Sequence, residues 1–234
     1  ERALHALFPN LNILRLDRDT TQRKLAHEDL LKQFRSGKAD VLIGTQMITK
    51  GLHFPSCTLV GVISIDSQLQ IPDFRASETV FQLITQVAGR AGRSSLPGEV
   101  ILQTFLPENE TLKLAATQDY LRFYNQESEM RKMFNYPPYC RMGKLIFSAK
   151  NSDHIIHLSN QLREKITTLL SSDYQLSPLA PCGYSKVKDH FRFQFFVKGP
   201  SSVQISSAFK KALEGINDSR VSILVDMDPL FTFF

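Results

Sequence analysis

Apolar positions recur along this chain in two rhythms. Val80, Leu83, Ile84 and Val87 fall at i, i+3, i+4 and i+7 and predict an amphipathic helix over 78–88. Ala26, Leu30, Leu31 and Phe34 predict another, which Gly37 ends, and Leu4, Leu7 and Phe8 mark a short one over 3–8 stopped by Pro9-Asn10. A polar turn at 17–20 precedes the second of these, and Asp19 with Gln22 resembles a capping box. Between the helices stand short apolar runs at 11–16, 41–43, 58–65 and 99–105. Strands alternating with helices predict βαβ units and a parallel sheet covered on both faces. Ligands of such sheets gather beyond the carboxyl ends of strands. Thr45 follows one such end and Asp66 closes another.

After residue 105 the rhythm changes. The stretch 109–134 predicts one long helix, with Leu112, Ala116, Tyr120, Phe123 and Met130 roughly on one side. Asn135-Tyr136-Pro137-Pro138 stops it, because successive prolines cannot continue a helix. Leu145, Phe147 and Ala149 mark one face of a strand over 141–149. Ile155, Leu158, Leu162, Ile166 and Leu169 mark a helix. A short strand over 174–179 and a clear one over 191–197 follow. Then come a helix carrying Ile205, Phe209, Ala212 and Leu213, and a last strand carrying Val221, Ile223, Val225 and Met227. The order βαββαβ predicts a small ferredoxin-like α+β sandwich. The linear division is therefore 1–108, a connecting helix and proline turn over 109–138, and 139–234, with no repeats or low-complexity tracts.

Composition narrows the classes. The 234 residues are 42% hydrophobic, enough for real cores, and no apolar run approaches the roughly 20 residues of a membrane span. No signal peptide is evident, and the absence of an initiator Met with a helical pattern from the outset suggests a segment of a larger protein. Cys57, Cys140 and Cys182 are odd in number, far apart and without a CxxC, which favours buried thiols in a reducing cytoplasm over disulfides or zinc. Net charge is +5. Residues 1–105 hold 12 basic and 10 acidic side chains and residues 106–234 hold 16 and 13, so the excess permits nucleic acid without singling out a binding half.

Two stretches carry the chemistry. Gln86-Val87-Ala88-Gly89-Arg90-Ala91-Gly92-Arg93 places two glycine-preceded arginines at the end of an amphipathic helix. Glycine allows close backbone approach, and arginine presents a planar fork of donors suited to phosphate oxygens. The plainer reading is a helix end whose arginines favour the negative pole of the dipole. Upstream stands Gly44-Thr45-Gln46-Met47-Ile48-Thr49-Lys50-Gly51-Leu52-His53-Phe54-Pro55. In this order and spacing the pair resembles motifs V and VI of superfamily 2 helicases, and its particular form resembles the PriA family of replication-restart helicases, also called primosomal protein N′. RLDRDT at 15–20, DFRASE at 73–78, YPP at 136–138 and VDMDP at 225–229 support the same resemblance.

The resemblance implies a RecA-like second motor lobe with a parallel sheet incomplete at its N-terminus, followed by the C-terminal α+β domain. It implies that Arg93, as arginine finger, and Arg90 reach the phosphates of ATP with Mg²⁺, a role worth roughly 10³–10⁵ in rate in well-studied NTPases. Gln86 would hold the nucleotide or its attacking water, and Gly51 and Gly89 would allow close approach. Asp66 orients an arginine or is simply a turn residue. Thr45, Gln46 and Lys50 would meet DNA phosphates, contacts that position a strand without reading it. His53 stands where many members carry Asp or Asn, and Leu52 where a His is frequent, so no role at the ribose is carried over to His53. Neither GxxxxGK[ST] nor a DExH-like box occurs, so the segment alone is expected not to hydrolyse ATP.

Lys186, Lys188 and Arg192 are further candidate phosphate contacts, lying among Phe191, Phe193 and Phe195. The phenylalanines read either as a stacking platform for single strands or, on their alternation, as the core face of a strand, the reading we favour. His154 with His157 lacks the partner cluster a metal needs, and Asp226 with Asp228 reads as a strand-end turn.

The whole protein is then expected to be a bacterial, cytoplasmic, nucleoid-associated ATP-dependent 3′→5′ DNA helicase that remodels stalled forks and starts primosome assembly. Its expected partners are forked and single-stranded DNA, the single-stranded DNA-binding protein and other primosome proteins. Zinc belongs to the parent protein and not to this segment. The competing readings are a non-catalytic scaffold that binds DNA branches and another superfamily 2 motor, such as an RNA helicase.

Overall fold

A computed structural model describes residues 1–16, 24–45, 48, 54, 57–89, 98–216 and 218–233, with the backbone alone over 24–27. The capping pair Asp19 and Gln22, and the side chain of Ala26, lie outside the described residues. No helix among them is long and apolar enough to cross a membrane. The chain divides into two compact units: Glu1–Gln70 with Ser77–Phe123, and Ile71–Ala76 with Tyr124–Phe234. This differs from the linear division, since the stretch 109–138 is shared and Ile71–Ala76 folds with the second unit.

The first unit opens with α1 (Arg2–Leu7), β1 (Ile13–Leu16), α2 (Lys24–Arg35) and β2 (Val41–Gly44). Contrary to its apolar pattern, α1 buries nothing, and Leu7 is 71% exposed. Helix α2 ends where Gly37 turns left-handed at φ +73°, letting Lys38 N–H bond back to the Gln33 carbonyl at 3.0 Å. Strands β1 and β2 pair in parallel, Ile13 opposite Val41 through Leu16 opposite Gly44. Leu16, Leu31 and Phe54 form the small core beneath them.

Strand β3 (Leu59–Val62), α3 (Asp66–Leu69), α4 (Ala76–Ala88) and β4 (Glu99–Leu102) follow, β3 and β4 again parallel. The expected single sheet is two separate parallel pairs among the described residues. The expected strand over 58–65 also stops early. Ser64 turns left-handed at φ 59°, and Ile65 O accepts from Gln68 N–H at 3.0 Å, so the chain enters α3 before Asp66. Helix α4 buries Val80, Phe81, Ile84 and Val87.

The long helix is two: α5 (Glu110–Ala116) and α6 (Tyr120–Met133). Asn109 caps α5 by accepting from Leu112 N–H. The Thr117 hydroxyl then bonds back to the Lys113 carbonyl, Gln118 turns left-handed at φ 55°, and Asp119 accepts from Arg122 N–H at 3.1 Å to start α6. The break shifts the phase of the pattern, so Leu112, Leu114, Ala115 and Phe123 are buried while Ala116, Tyr120 and Met130 are exposed.

The second unit holds the end of α6, then β5 (Arg141–Ala149), α7 (Ser152–Leu169), β6 (Gln175–Leu176), β7 (Ala180–Val187), β8 (His190–Gly199), α8 (Ser202–Leu213) and β9 (Ser222–Met227). The sheet runs β6-β8-β5-β9, with β7 paired to β8, and every pairing is antiparallel. Strand β7 is an addition to the expected βαββαβ order. Asn151 and Ser201 cap α7 and α8. One sheet face carries Leu145, Phe147, Phe195 and Val197 into a core with Ile155, Leu162, Ile166 and Phe209. Gly143 allows this packing, because a Cβ there would stand 2.5 Å from the Ile205 side chain and 2.7 Å from the Phe209 ring.

The other sheet face is buried too, which strand alternation did not predict. Met142, Lys144, Ile146 and Gln194 are all buried. The tail after β9 crosses this face. Phe231 O accepts from Lys144 Nζ at 3.1 Å, Thr232 O from Gln194 Nε2 at 2.6 Å, and Phe233 O from Gly183 N–H at 2.7 Å.

Candidate nucleotide and nucleic-acid interface

In the first unit the carboxyl ends of the strands are defined by tight packing. A Cβ on Gly44 would stand 2.7 Å from the Leu16 carbonyl oxygen and 2.6 Å from Ile48, so only glycine lets β2 end against β1 here. The next residue, Thr45, is exposed, and its carbonyl accepts from Ile48 N–H at 3.1 Å. Gln46, Lys50, Gly51, Leu52 and His53 lie outside the described residues.

At the end of the other pair, Asp66 is 7% exposed and hydrogen-bonded through both oxygens. Its Oδ1 accepts from the Thr104 hydroxyl at 2.5 Å and its Oδ2 from Phe105 N–H at 2.8 Å, while Thr104 Oγ1 accepts from Leu106 N–H at 2.9 Å. The carboxylate thus ties the start of α3 to the chain leaving β4. Such charge-assisted bonds are roughly twice as strong as neutral ones. Each oxygen accepts one bond within this tie, the part of a turn-fixing residue, and a carboxylate so bonded keeps lone pairs that could accept from an arginine.

Helix α4 carries the remaining described candidates. Gln86 is exposed on its last turn, and Gly89 N–H still bonds the Thr85 carbonyl at 3.1 Å. Beside Gln86, the Thr85 hydroxyl is buried without a partner among the described residues. Arg90 and Arg93 lie outside the described residues. Of the residues the resemblance assigns to nucleotide, Gln86 is exposed and Gly89 is half-buried, both at the C-terminal end of α4.

In the second unit the basic candidates cluster on the β7–β8 hairpin. Its two-residue turn is Lys188-Asp189, both left-handed at φ 48° and 62°, the backbone of a tight hairpin turn that usually takes Asn-Gly. Lys188 is exposed there. Lys186 pairs with Asp189 at 3.5 Å and lies 5.3 Å from the Phe191 ring. Arg192 is half-buried on β8 opposite Ser148. Phe195 is fully buried, and Phe191 and Phe193 pack partly buried against the same core, which favours the core reading over a stacking platform.

Sequence reasoning passed over a polar group on the covered sheet face. Lys144 is 1% exposed, and burial pushes its ammonium below the usual value, partly offset by Asp226. Its apolar neighbours of the same parity, Met142 and Ile146, were the available signal. Burial likewise lowers Lys198 and raises Tyr136, Cys140 and Cys182. All three cysteines are free thiols. Among the described residues no His, Cys, Asp and Glu group could hold a metal ion.

Comparison with known proteins gives two successive matches along the chain. The helicase conserved C-terminal domain matches residues 1–95, and the primosomal protein N C-terminal domain matches residues 132–230. The replication restart protein PriA of Chlamydia trachomatis is 48% identical over 235 residues, covering 100% of this chain and 31% of that protein. The PriA proteins of Bacillus subtilis and Haemophilus influenzae are 40% and 35% identical, each covering 98% of this chain and 29% and 32% of their own lengths. The chain therefore spans about a third of the length of these relatives. Identity of 48% over the whole chain, with the helicase match and the primosomal match one after the other along it, makes this chain a member of the replication restart protein PriA family.

Proposed function

We propose that this chain is the C-terminal portion of an ATP-dependent 3′→5′ DNA helicase that recognises and remodels stalled replication forks and initiates primosome assembly. The observation that carries the reading is the end of α4. Val80, Ile84 and Val87 anchor the helix, Gln86 is left exposed, and the chain passes through Gly89 directly to Arg90 and Arg93. Gln86, Arg90 and Arg93 meet the phosphates of ATP with Mg²⁺, held chiefly by a first lobe that supplies the Walker loop. The bound nucleotide contributes the phosphoryl group to be transferred, and the arginines stabilise the charge that develops on it. Thr45, Gln46 and Lys50 contact the DNA backbone, as do Lys186, Lys188 and Arg192. Single-stranded DNA-binding protein and primosome components are the protein partners, and zinc is held by other parts of the parent protein.

The fold of each unit is read in the same light. Helices joining parallel strands support a RecA-like lobe in the first. The strand order β6-β8-β5-β9, with helices after β5 and β8, supports a ferredoxin-like sandwich with β7 added in the second.

The test is DNA-stimulated ATP turnover in the full-length protein, wild type against Arg93→Ala. A fall of about a hundredfold or more with fork binding intact is expected. Unchanged turnover would return the arginines to a helix-end role and leave a non-catalytic branch-binding scaffold as the function.

A further inference from the structure

The sheet of the second unit has a face turned away from its helices, and the tail after β9 divides it. Lys144 and Gln194 donate to tail carbonyls, so residues of the same parity on β5, β8 and β9 face the tail side too. Asp73 Oδ2 pins the tail there by accepting from Thr232 N–H and Phe233 N–H. Beyond Gln194 and Ile146, both buried, the face opens. Register sets Arg192 opposite Ser148 and Ser148 opposite Ser222, so a guanidinium and two hydroxyls stand in one row across three strands. Neighbouring strands lie about 4.8 Å apart, which makes the row about 10 Å wide. Ser222 is exposed, and Ser148 and Arg192 are half-buried. None of these three side chains makes a hydrogen bond or ion pair among the described residues. One row inward, Leu224 is 58% exposed. The nearest carboxylate of this parity on the strands is Asp226, two rows away opposite Lys144.

The basic side chains of the β7–β8 hairpin are not equivalent beside this row. Lys186 stands on the other side of the sheet, over the ring of Phe191, which packs toward the core, and its charge is answered by Asp189 at 3.5 Å. Arg192 has no such partner among the described residues. Its planar fork can take two oxygens of one phosphate, and the serine hydroxyls beside it are donors for a further oxygen. A positive row without a neighbouring carboxylate suits a polyanion. The exposed Leu224 at its side narrows the class. An unpaired base can lay its apolar face on that side chain, whereas the stacked bases of a duplex offer only their edges. We propose that Arg192, Ser148 and Ser222 form a backbone-phosphate site for single-stranded DNA, with a base of the strand resting on Leu224. This rests on the DNA-binding function proposed above. Such contacts hold the strand in place and read no sequence.

The experiment uses the full-length protein and reads its affinity for a labelled oligothymidine strand and for a blunt duplex, each over a range of salt, with thermal melting alongside. Arg192→Ala is expected to weaken single-strand binding about five- to tenfold and to lower the salt slope by about 0.7, the loss of one phosphate contact. Ser148→Ala combined with Ser222→Ala is expected to weaken it about two- to threefold with the slope unchanged, because a neutral donor releases no counterion. Lys186→Ala is expected to stay within about twofold of wild type. Unchanged affinity and slope in Arg192→Ala overturn the inference, as does a loss confined to the duplex. Should Arg192→Ala melt early, Ser222→Glu takes its place, since that side chain is exposed. It sets a carboxylate in the row and is expected to weaken single-strand binding about tenfold, with unchanged affinity counting against the site. The wild type separates the two failures. If it binds strands and these variants bind them equally well, only this site is lost; if it binds no DNA, the helicase reading falls and takes this inference with it.

Discussion

The two units solve the problem of burying apolar surface differently. Among the described residues the first spreads its buried side chains over two clusters, one of three residues around Leu16 and one of eight around Ile84. Its strands are four residues long and pair two by two. Leu59, Ile63, Ile101 and Phe105 on or beside them are 57%, 77%, 52% and 88% exposed. The second gathers fourteen buried residues into one core and covers both faces of a five-stranded sheet. The contrast teaches where constraint falls. In the first unit single polar ties such as Asp66 fix the ends of short elements, and the residues near the proposed chemistry, Thr45 and Gln86, are left exposed. In the second, packing specifies even a buried lysine.

The sharpest way to break this contrast is to delete core volume in each unit. Phe147→Ala removes a fully buried ring from the larger core and is expected to cost about 3–5 kcal/mol. Leu31→Ala, in a cluster of three flanked by half-buried neighbours that can close on the gap, is expected to cost only about 2 kcal/mol. Urea unfolding followed by circular dichroism checks both, and equal losses would remove the distinction.

A smaller effect tests the ties. Asp66→Ala abandons the Thr104 hydroxyl and Phe105 N–H, for an expected loss of about 1–3 kcal/mol. A double-mutant cycle with Thr104→Val should return a non-zero coupling, and additive losses would mean that Asp66 acts through the backbone contact alone.

The subtlest test lies in pH. Burial holds the folded pKa of Lys144 below the usual 10.5, so as the pH climbs toward that value the unfolded chain keeps a proton that the folded chain sheds. Stability attributable to Lys144 therefore rises with pH in this window. Melting of wild type against Lys144→Met should show wild type gaining on the variant as pH 10.5 is approached. A flat difference would mean that Asp226 and the tail keep the ammonium fully charged at no cost to the fold.

Much of this was legible in the residues, unevenly. The buried faces of α4, α7 and α8 followed from apolar spacing, because each helix packs a single stripe, except that Leu169 on the last turn of α7 is 43% exposed. The break at 117–119 escaped the same reasoning, because Leu112 and Phe123 suit either one helix or two, and the decisive signal was Asp119 as a cap. Strand β7 was missed because Pro181 and Gly183 interrupt its alternation and Lys188-Asp189 is an unusual pair for a tight turn. The covered face escaped because a lysine in a strand reads as solvent-facing until something is known to lie over it. At the candidate site, Arg90, Arg93, Lys50 and Gly51, singled out by their chemistry and by the resemblance, lie outside the described residues, while Asp66, read as orienting an arginine or as a turn residue, ties the start of α3 to the chain leaving β4.

Within the second unit Asp73 Oδ2 accepts from Thr232 N–H at 2.5 Å and Phe233 N–H at 3.3 Å, a clasp that sets a timetable. Its donors are made 159 residues later. At roughly 5–20 residues per second of synthesis, about 10–30 s separate Asp73 from Thr232. Helix α4 has every residue it needs long before that interval ends, whereas Asp73 waits with no tail to hold. The joining of these two stretches is thus a late step of biosynthesis, and a ribosome-bound chain short of residue 232 carries Asp73 without its clasp.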